Sequence, residues 1–480
     1  MTVGLGPETH EALDLEALVP AARGRRRRGF AVVVALIAGV AVFGIARLAA
    51  GGAPAIVREP NGPTVNVRAF AQHGTLAFVS HRKLWVLDGR SGSVHSLTVN
   101  GFTPTQPVFS ADGKWLAYLE QHFDPVRQEA YSRLWIARAN GSDARVVPGL
   151  QVFGLFGWSP SEDVIAIATG PINTRRCPCY SPTTVRLVAP NKSMRTLAHA
   201  GAVYGAAWSP GGRRLAVAAM GVNVARLVVY PTSGGPGRIW LVRHAPQRLN
   251  GMQSILFTIA GWWPHVGIGI WVFGNGMVHN NDQTPLDVVG SPGATPRLLG
   301  STLSDGWTDA TDASARGRLA LVADGVGREA WRGKQVELCE ATCQALPRPA
   351  GTVTVDPSWS PEGRTLAYAA APNVTDSPWT QKAVAAWFNA HDVLLYDTRA
   401  KSARRLAAAH GATAVTWSRD GKSLLYVRND GLWLLPTLEA TPVRIASTLF
   451  PFYRWPQYYA QVDWSAQFAW SSRYATTRYT

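Results

Sequence analysis

The sequence predicts an all-β chain, a β-propeller of four-stranded blades preceded by one transmembrane helix, and three observations predict it. A hairpin-like unit recurs at intervals of about fifty residues, most copies are followed by two more short β-like runs, and an uncharged apolar run, Phe30 to Ala46, precedes them all.

The unit is clearest at Val415–Val427, V-T-W-S-R-D-G-K-S-L-L-Y-V, an apolar run ending in an aromatic, a polar turn closed by Gly421, and a second apolar run. Asp420 can bond its own backbone in the turn and Gly421 supplies a positive φ, so two strands joined by a tight turn are expected. Near-copies stand at Pro107–Tyr118, Phe156–Ile167, Ala206–Val217 and Pro357–Tyr368, with a looser copy at Ala260–Val272 and a truncated one at Val462–Trp470. The aromatic at the end of the first run marks each copy: Phe109, Trp158, Trp208, Trp262, Trp359, Trp417 and Trp464. A unit cannot bury both its faces alone, so these markers are assigned to packing between blades rather than to a ligand. Their spacings are 49, 50, 54, 97, 58 and 47 residues. The doubled gap predicts a unit that lost its marker, and A-R-G-R-L-A-L-V-A-D (Ala315–Asp324) retains its second strand.

The remaining strands follow each hairpin, as L-W-I-A then R-V-V-P after Phe109, V-R-L-V then R-T-L-A after Trp158, and L-W-L-L then V-R-I-A after Trp417. The runs Thr75–Val79, Leu84–Asp88 and Val94–Thr98 match a second, third and fourth strand without a first. Val462–Ser465 offers a first strand with no unit behind it. Sharing one blade between the chain ends would remove exposed sheet edges, giving eight blades, with seven as the alternative count.

The N-terminal region reads as a cytoplasmic tail (1–29), a transmembrane signal-anchor (30–50) and a Gly/Pro linker (51–64) ahead of the propeller (65–480). The apolar run spans roughly 25–31 Å as a helix, enough for a bilayer core. The cluster Arg25–Arg28 would stay on the cytoplasmic side, making the chain a single-pass protein of the cell membrane. A cleaved leader is the rival reading, since Arg27-Arg28-Gly29-Phe30 loosely matches a twin-arginine signal and Ala53-Pro54-Ala55 a cleavage site. Both place the propeller outside the cytoplasm.

Lysine and arginine total 47 against 31 acidic residues, and beyond residue 50 the counts are 41 and 27, so the outer domain carries about +14. That surplus suits an anionic envelope polymer, lipid headgroups or an acidic protein, and export argues against nucleic acid. With 40 Arg and 7 Lys, a merely compositional surplus is the bland reading, and a spatial cluster of Arg would separate the two. In an oxidising compartment Cys339 and Cys343 are placed to bridge across a turn of the degenerate unit. Cys177 and Cys179 flank one proline, where a ring would be strained and zinc would lack ligands.

No G-x-S-x-G elbow, H-E-x-x-H pair, phosphate loop or dinucleotide fingerprint occurs, and the acids of the S-x-D-G turns are the ones such turns require. No catalytic, metal or cofactor residue is therefore assigned. Two stretches break the repeat: Ala371–His391, whose A-V-A-A-W-F portion has helical character, and the aromatic Leu449–Tyr459. Such departures are where a propeller carries binding loops.

The unit W-S-P-D-G-K-x-L-A-Y resembles the TolB-type (WD-like) propeller repeat, carried most closely by Trp417–Tyr426, Trp359–Tyr368 and Phe109–Tyr118 and over about residues 65–470. The resemblance implies an envelope-facing interaction protein. The expected layout departs from both kinds of relative that the resemblance brings in, TolB with its separate N-terminal domain and fewer blades and the peptidases in which a hydrolase domain accompanies this repeat. The expectation is a membrane-anchored, non-catalytic scaffold binding a protein or an anionic polymer, with a propeller-hosted hydrolase or lyase of envelope carbohydrate or peptide as the alternative.

Overall fold

The computed structural model describes residues 56–472 apart from 59, 61, 98–101, 125–128, 171–182, 192, 222, 246–254, 274–283, 303–310, 315, 324–328, 341, 376–379 and 450–461. They belong to one compact unit, Pro54–Thr480. The Phe30–Ala50 run, Cys177, Cys179 and most of the Leu449–Tyr459 stretch lie outside the described residues. Among the described residues no helix is long and apolar enough to cross a membrane.

The chain folds as antiparallel sheets of the propeller type. Three consecutive sheets of four strands occupy residues 103–146, 152–199 and 202–244. A longer sheet joins the strands of residues 256–302 to those of 311–345 through the single pairing of Thr302 with Ala323. Residues 352–405 form another sheet of four. The strands of residues 412–446 are extended at their outer edge by Thr64–Val65 and Val57–Arg58, so part of the stretch expected as a linker is sheet. In the last sheet Phe468–Ser471 pairs with Thr75–Ser80, followed by Lys83–Asp88 and Ser93–Ser96. First strands of successive sheets touch, as Ala202–Trp208 touches Leu256–Trp263 and Thr352–Trp359 touches Ala412–Trp417, which places first strands inside and fourth strands outside.

The repeated motif ties each sheet to the one before it. Indole Nε1 of Trp158, Trp208, Trp359 and Trp417 donates to the carbonyl of Val108, Gly157, Asp312 and Ser358 respectively, at 3.0–3.2 Å, each in the first strand of the preceding unit. The tyrosines of the second strands do likewise further out, the hydroxyls of Tyr118, Tyr368 and Tyr426 donating to Leu97, Pro347 and Ala408. Between them the serine holds the turn: Ser418 Oγ accepts from Ser423 N at 2.9 Å and donates to Asp420 at 2.6 Å, and Gly421 takes φ 70°. Apolar contacts follow the same path, Val393 and Leu395 of one sheet packing with Val415, Leu424 and Tyr426 of the next. Fully burying such a side chain is worth about 1.5–3 kcal/mol.

Two departures from the expected register have local causes. The unit in the doubled gap has Ala313 at the marker position, paired with Leu319 as Trp359 is with Leu366. Ser314 still caps its turn, accepting from Arg318 N at 3.0 Å. At the C-terminus Val462–Ser465 is not the closing strand. Asp463 caps a 3-10 turn, Trp464–Ala466, and the strand begins at Phe468, so Trp470 rather than Trp464 pairs with Leu76 at the marker register.

Candidate functional site

The stretch that breaks the repeat after Ala371 folds as the helix Gln381–Asn389. Thr380 is its N-cap, its Oγ1 accepting from Ala383 N at 3.3 Å. Val384, Trp387 and Phe388 recur at helical spacing and are buried. Trp387 anchors the helix by donating to the Pro372 carbonyl at 2.9 Å and by edge contact with Trp331.

Between this helix and the 412–446 sheet lies a cavity of about 190 Å³, lined by Ala385, Phe388, Asn389, Gly411, Thr413, Val427, Asn429 and Asp430. Asn389 and Asn429 supply amides, and Asp430 is paired with Arg444. Thr413 lies on the first strand of the sheet and reaches across to its neighbour, where its Oγ1 donates to Asp356 Oδ2 at 2.5 Å.

Asp356 occupies a β-bulge in its strand, with φ 54°, a conformation uncommon outside glycine. The side chain is buried, 6 % exposed. Burial pushes its carboxyl above the usual carboxylate range, against the opposing effect of hydrogen bonds from Thr413 and the Ala414 amide. His391, at the end of the insertion, is also fully buried, edge-on to Trp387 at 4.4 Å. Neither ring nitrogen completes a hydrogen bond, although the Ala412 main chain approaches, and burial pushes the imidazole down to about 3. It is therefore neutral at any physiological pH. The cavity is thus lined by the Asn389 and Asn429 amides, the Thr413 hydroxyl and the paired Asp430, and the buried acid Asp356 lies behind it, reaching it only through Thr413.

The sequence-assigned residues lie elsewhere. Phe109, Trp158, Trp208, Trp359 and Trp417 end first strands, and Trp262 is the last residue but one of its own. Cys339 and Cys343 are joined by a disulfide across the turn between two strands of the degenerate unit. Asp356 escaped the sequence reading, which began its copy of the motif at the next residue, Pro357. Aligning the copies offers a signal, because the position three before the marker carries Gln106, Leu155, Gly205, Ile259 and Ala414 where this copy carries an acid. Among the described residues no group of three or more His, Cys, Asp or Glu is placed to hold a metal ion.

No known protein family matches the chain, and no curated protein is similar to it. Solved structures are similar in fold. The β-propeller domain of the Trilobed protease from Pyrococcus furiosus is 8 % identical, with 73 % of this chain and 97 % of that one covered and a TM-score of 0.40. An oligogalacturonate lyase in complex with manganese is 13 % identical over 78 % and 86 %, with a TM-score of 0.38. An acylaminoacyl peptidase from Pyrococcus horikoshii is 10 % identical with a TM-score of 0.41, and this chain spans about half of its length, 52 %. The expectation of a non-catalytic scaffold is corrected on this finding, since these proteins belong to the hydrolase and lyase class weighed as the alternative, and the assignment as a non-enzyme is withdrawn. At such identities and scores the likeness extends to the fold and carries no activity over to this chain.

Proposed function

We propose that the protein is an exported propeller hydrolase or lyase of the cell envelope, acting on a carbohydrate or peptide held in the cavity beneath the helix Gln381–Asn389. The observation that carries this reading is the hydrogen bond by which Thr413, which lines the cavity, reaches the buried Asp356 behind it on the neighbouring inner strand. Burial favours the protonated form of Asp356 relative to an exposed carboxyl, and Thr413 is the group through which its proton would pass to a bound ligand. Asn389 and Asn429 suit the hydroxyls of a sugar or the amides of a peptide.

The strand groups, counted with the composite of Phe468–Ser471 and residues 75–96, support eight blades rather than seven. The W-S-P-D-G-K-x-L-A-Y repeat supports a TolB-like ancestry. The uncharged run after Arg25–Arg28 supports a membrane anchor with the propeller outside, in reach of envelope polymers and proteins.

The test is incubation of full-length protein with an isolated envelope preparation and mass spectrometry of what is released. Release that depends on Asp356 and disappears in D356N is expected. Absence of any released species, or release unaltered in D356N and T413A, would overturn the assignment.

A further inference from the structure

We propose that an arc of arginines on the outermost strands of four successive sheets is a docking track for a linear polyanion of the envelope. This inference is independent of the catalytic reading and rests on register. Arg145, Arg195, Arg238 and Arg297 lie on the fourth strands of the sheets 103–146, 152–199, 202–244 and 256–302, and all four are exposed. Each pairs with a buried apolar residue of its third strand, Ile136, Leu187, Val229 and Val288 in turn. Each of those pairs with a small residue of the second strand, Ala117, Ala166, Ala216 and Gly269. The four arginines therefore hold one structural position, repeated from sheet to sheet.

Their charges are largely uncommitted. Among the described residues Arg238 and Arg297 make no ion pair, and Arg195 donates to the Thr232 carbonyl, a neutral partner. Arg145 has only Asp143, at 3.9 Å and itself exposed. Of the exposed large aliphatic side chains among the described residues, all but Ile56 lie on the same outer strands: Met194, Ile239, Val242 and Leu298.

Protection of sheet edges would also place charges on outer strands. That account does not explain the arc. The equivalent position is His95 in the composite sheet and Gln344 in the degenerate unit, both on uncovered edges, and Val443 where Thr64–Val65 covers the edge. Arg404 alone continues the series, in the sheet 352–405. The outer strands of successive blades face successive directions, so a flat bilayer meets one or two at a time while a flexible chain follows all four. Anionic groups of such a chain meet the guanidinium forks.

The test uses full-length protein in detergent and three probes: immobilised long-chain polyphosphate, free inorganic phosphate as competitor, and phosphatidylglycerol or phosphatidylcholine vesicles. The parent should be retained on polyphosphate at low salt and released as salt rises, with inorganic phosphate a poor competitor. R145Q/R195Q/R238Q/R297Q should weaken retention at least about tenfold and lower the slope of log affinity against log salt by roughly 2–4, by analogy with counterion release from nucleic acids. The equal-charge control R90Q/R213Q/R364Q/R399Q, at exposed positions off the register, should bind as the parent does, and the four-lysine variant should retain binding. If the four-glutamine protein does not melt like the parent, R238Q/R297Q carries the test with a partial loss. Equal loss in control and arc variants would overturn the proposal, as would retention on anionic vesicles without retention on polyphosphate, or no retention at all.

Discussion

The two ends of one strand, Ala412–Trp417, meet two different cavities. Thr413 at its start lines the pocket of about 190 Å³ beneath the inserted helix. The turn beyond its end, Ser418–Ser423, lines a wider cleft of about 490 Å³ shared with His73 and Trp470 at the closing seam. Each region has an aspartate, and the two are treated in opposite ways. Asp420 is exposed, and the hydrogen bond from Ser418, joined by the Lys422 amide, holds its carboxyl below the usual range. Asp356 is buried, and burial holds its carboxyl above it. The turn acid recurs because the turn needs it, as Asp112 does at Ser110. The inner-strand acid departs from the repeat and is left able to carry a proton.

The largest effect is expected from deleting residues 467–480, which removes the closing strand Phe468–Ser471 and one wall of the seam cleft, leaving Thr75–Ser80 with an open edge. Loss of soluble protein or of cooperative melting is expected, read by calorimetry, and a truncated protein that melts like the parent would contradict closure. D356N should lower the rate of envelope-product release by roughly 10²–10⁴, the contribution of a general acid, while the melting temperature stays the same or rises. Trp359→Ala should do the converse. It empties an inter-sheet site and removes the bond to the Asp312 carbonyl, costing about 3–5 kcal/mol in denaturant unfolding with turnover per folded molecule preserved. Asp420→Ala should be the mildest, under about 1 kcal/mol, because water screens an exposed carboxylate.

Much of the inter-sheet frame was legible in the sequence because it repeats. Indole, serine, glycine and tyrosine each serve a local geometry, so each copy carries the same letters at the same spacing. Legibility failed where a local match was ambiguous or absent. In D-W-S-A-Q-F-A-W-S-S the pair Trp464-Ser465 and the pair Trp470-Ser471 match the motif equally, and only pairing with Thr75–Ser80, nearly four hundred residues away, selects the second. Ala313 keeps the turn but not the aromatic, so its strand has no marker. Asp356 and Thr413 are 57 residues apart and meet only because adjacent sheets align their first strands. The arginine arc is likewise a property of register, invisible until the strands are paired.

Burial sets Asp356 apart from the turn acids, and the pH dependence of stability measures this directly. A folded carboxyl raised above its unfolded value stabilises the fold while protonated, and this contribution is lost as pH rises from the unfolded value through the folded one. A lowered carboxyl such as Asp420 contributes stability above its unfolded value, lost as pH falls through the folded one. Unfolding free energies of the parent, D356N and D420N across the acid-to-neutral range should therefore give differences of opposite slope, with D356N gaining on the parent as pH rises and D420N losing to it. A flat difference for D356N, or one with the same sign as that for D420N, would contradict the account.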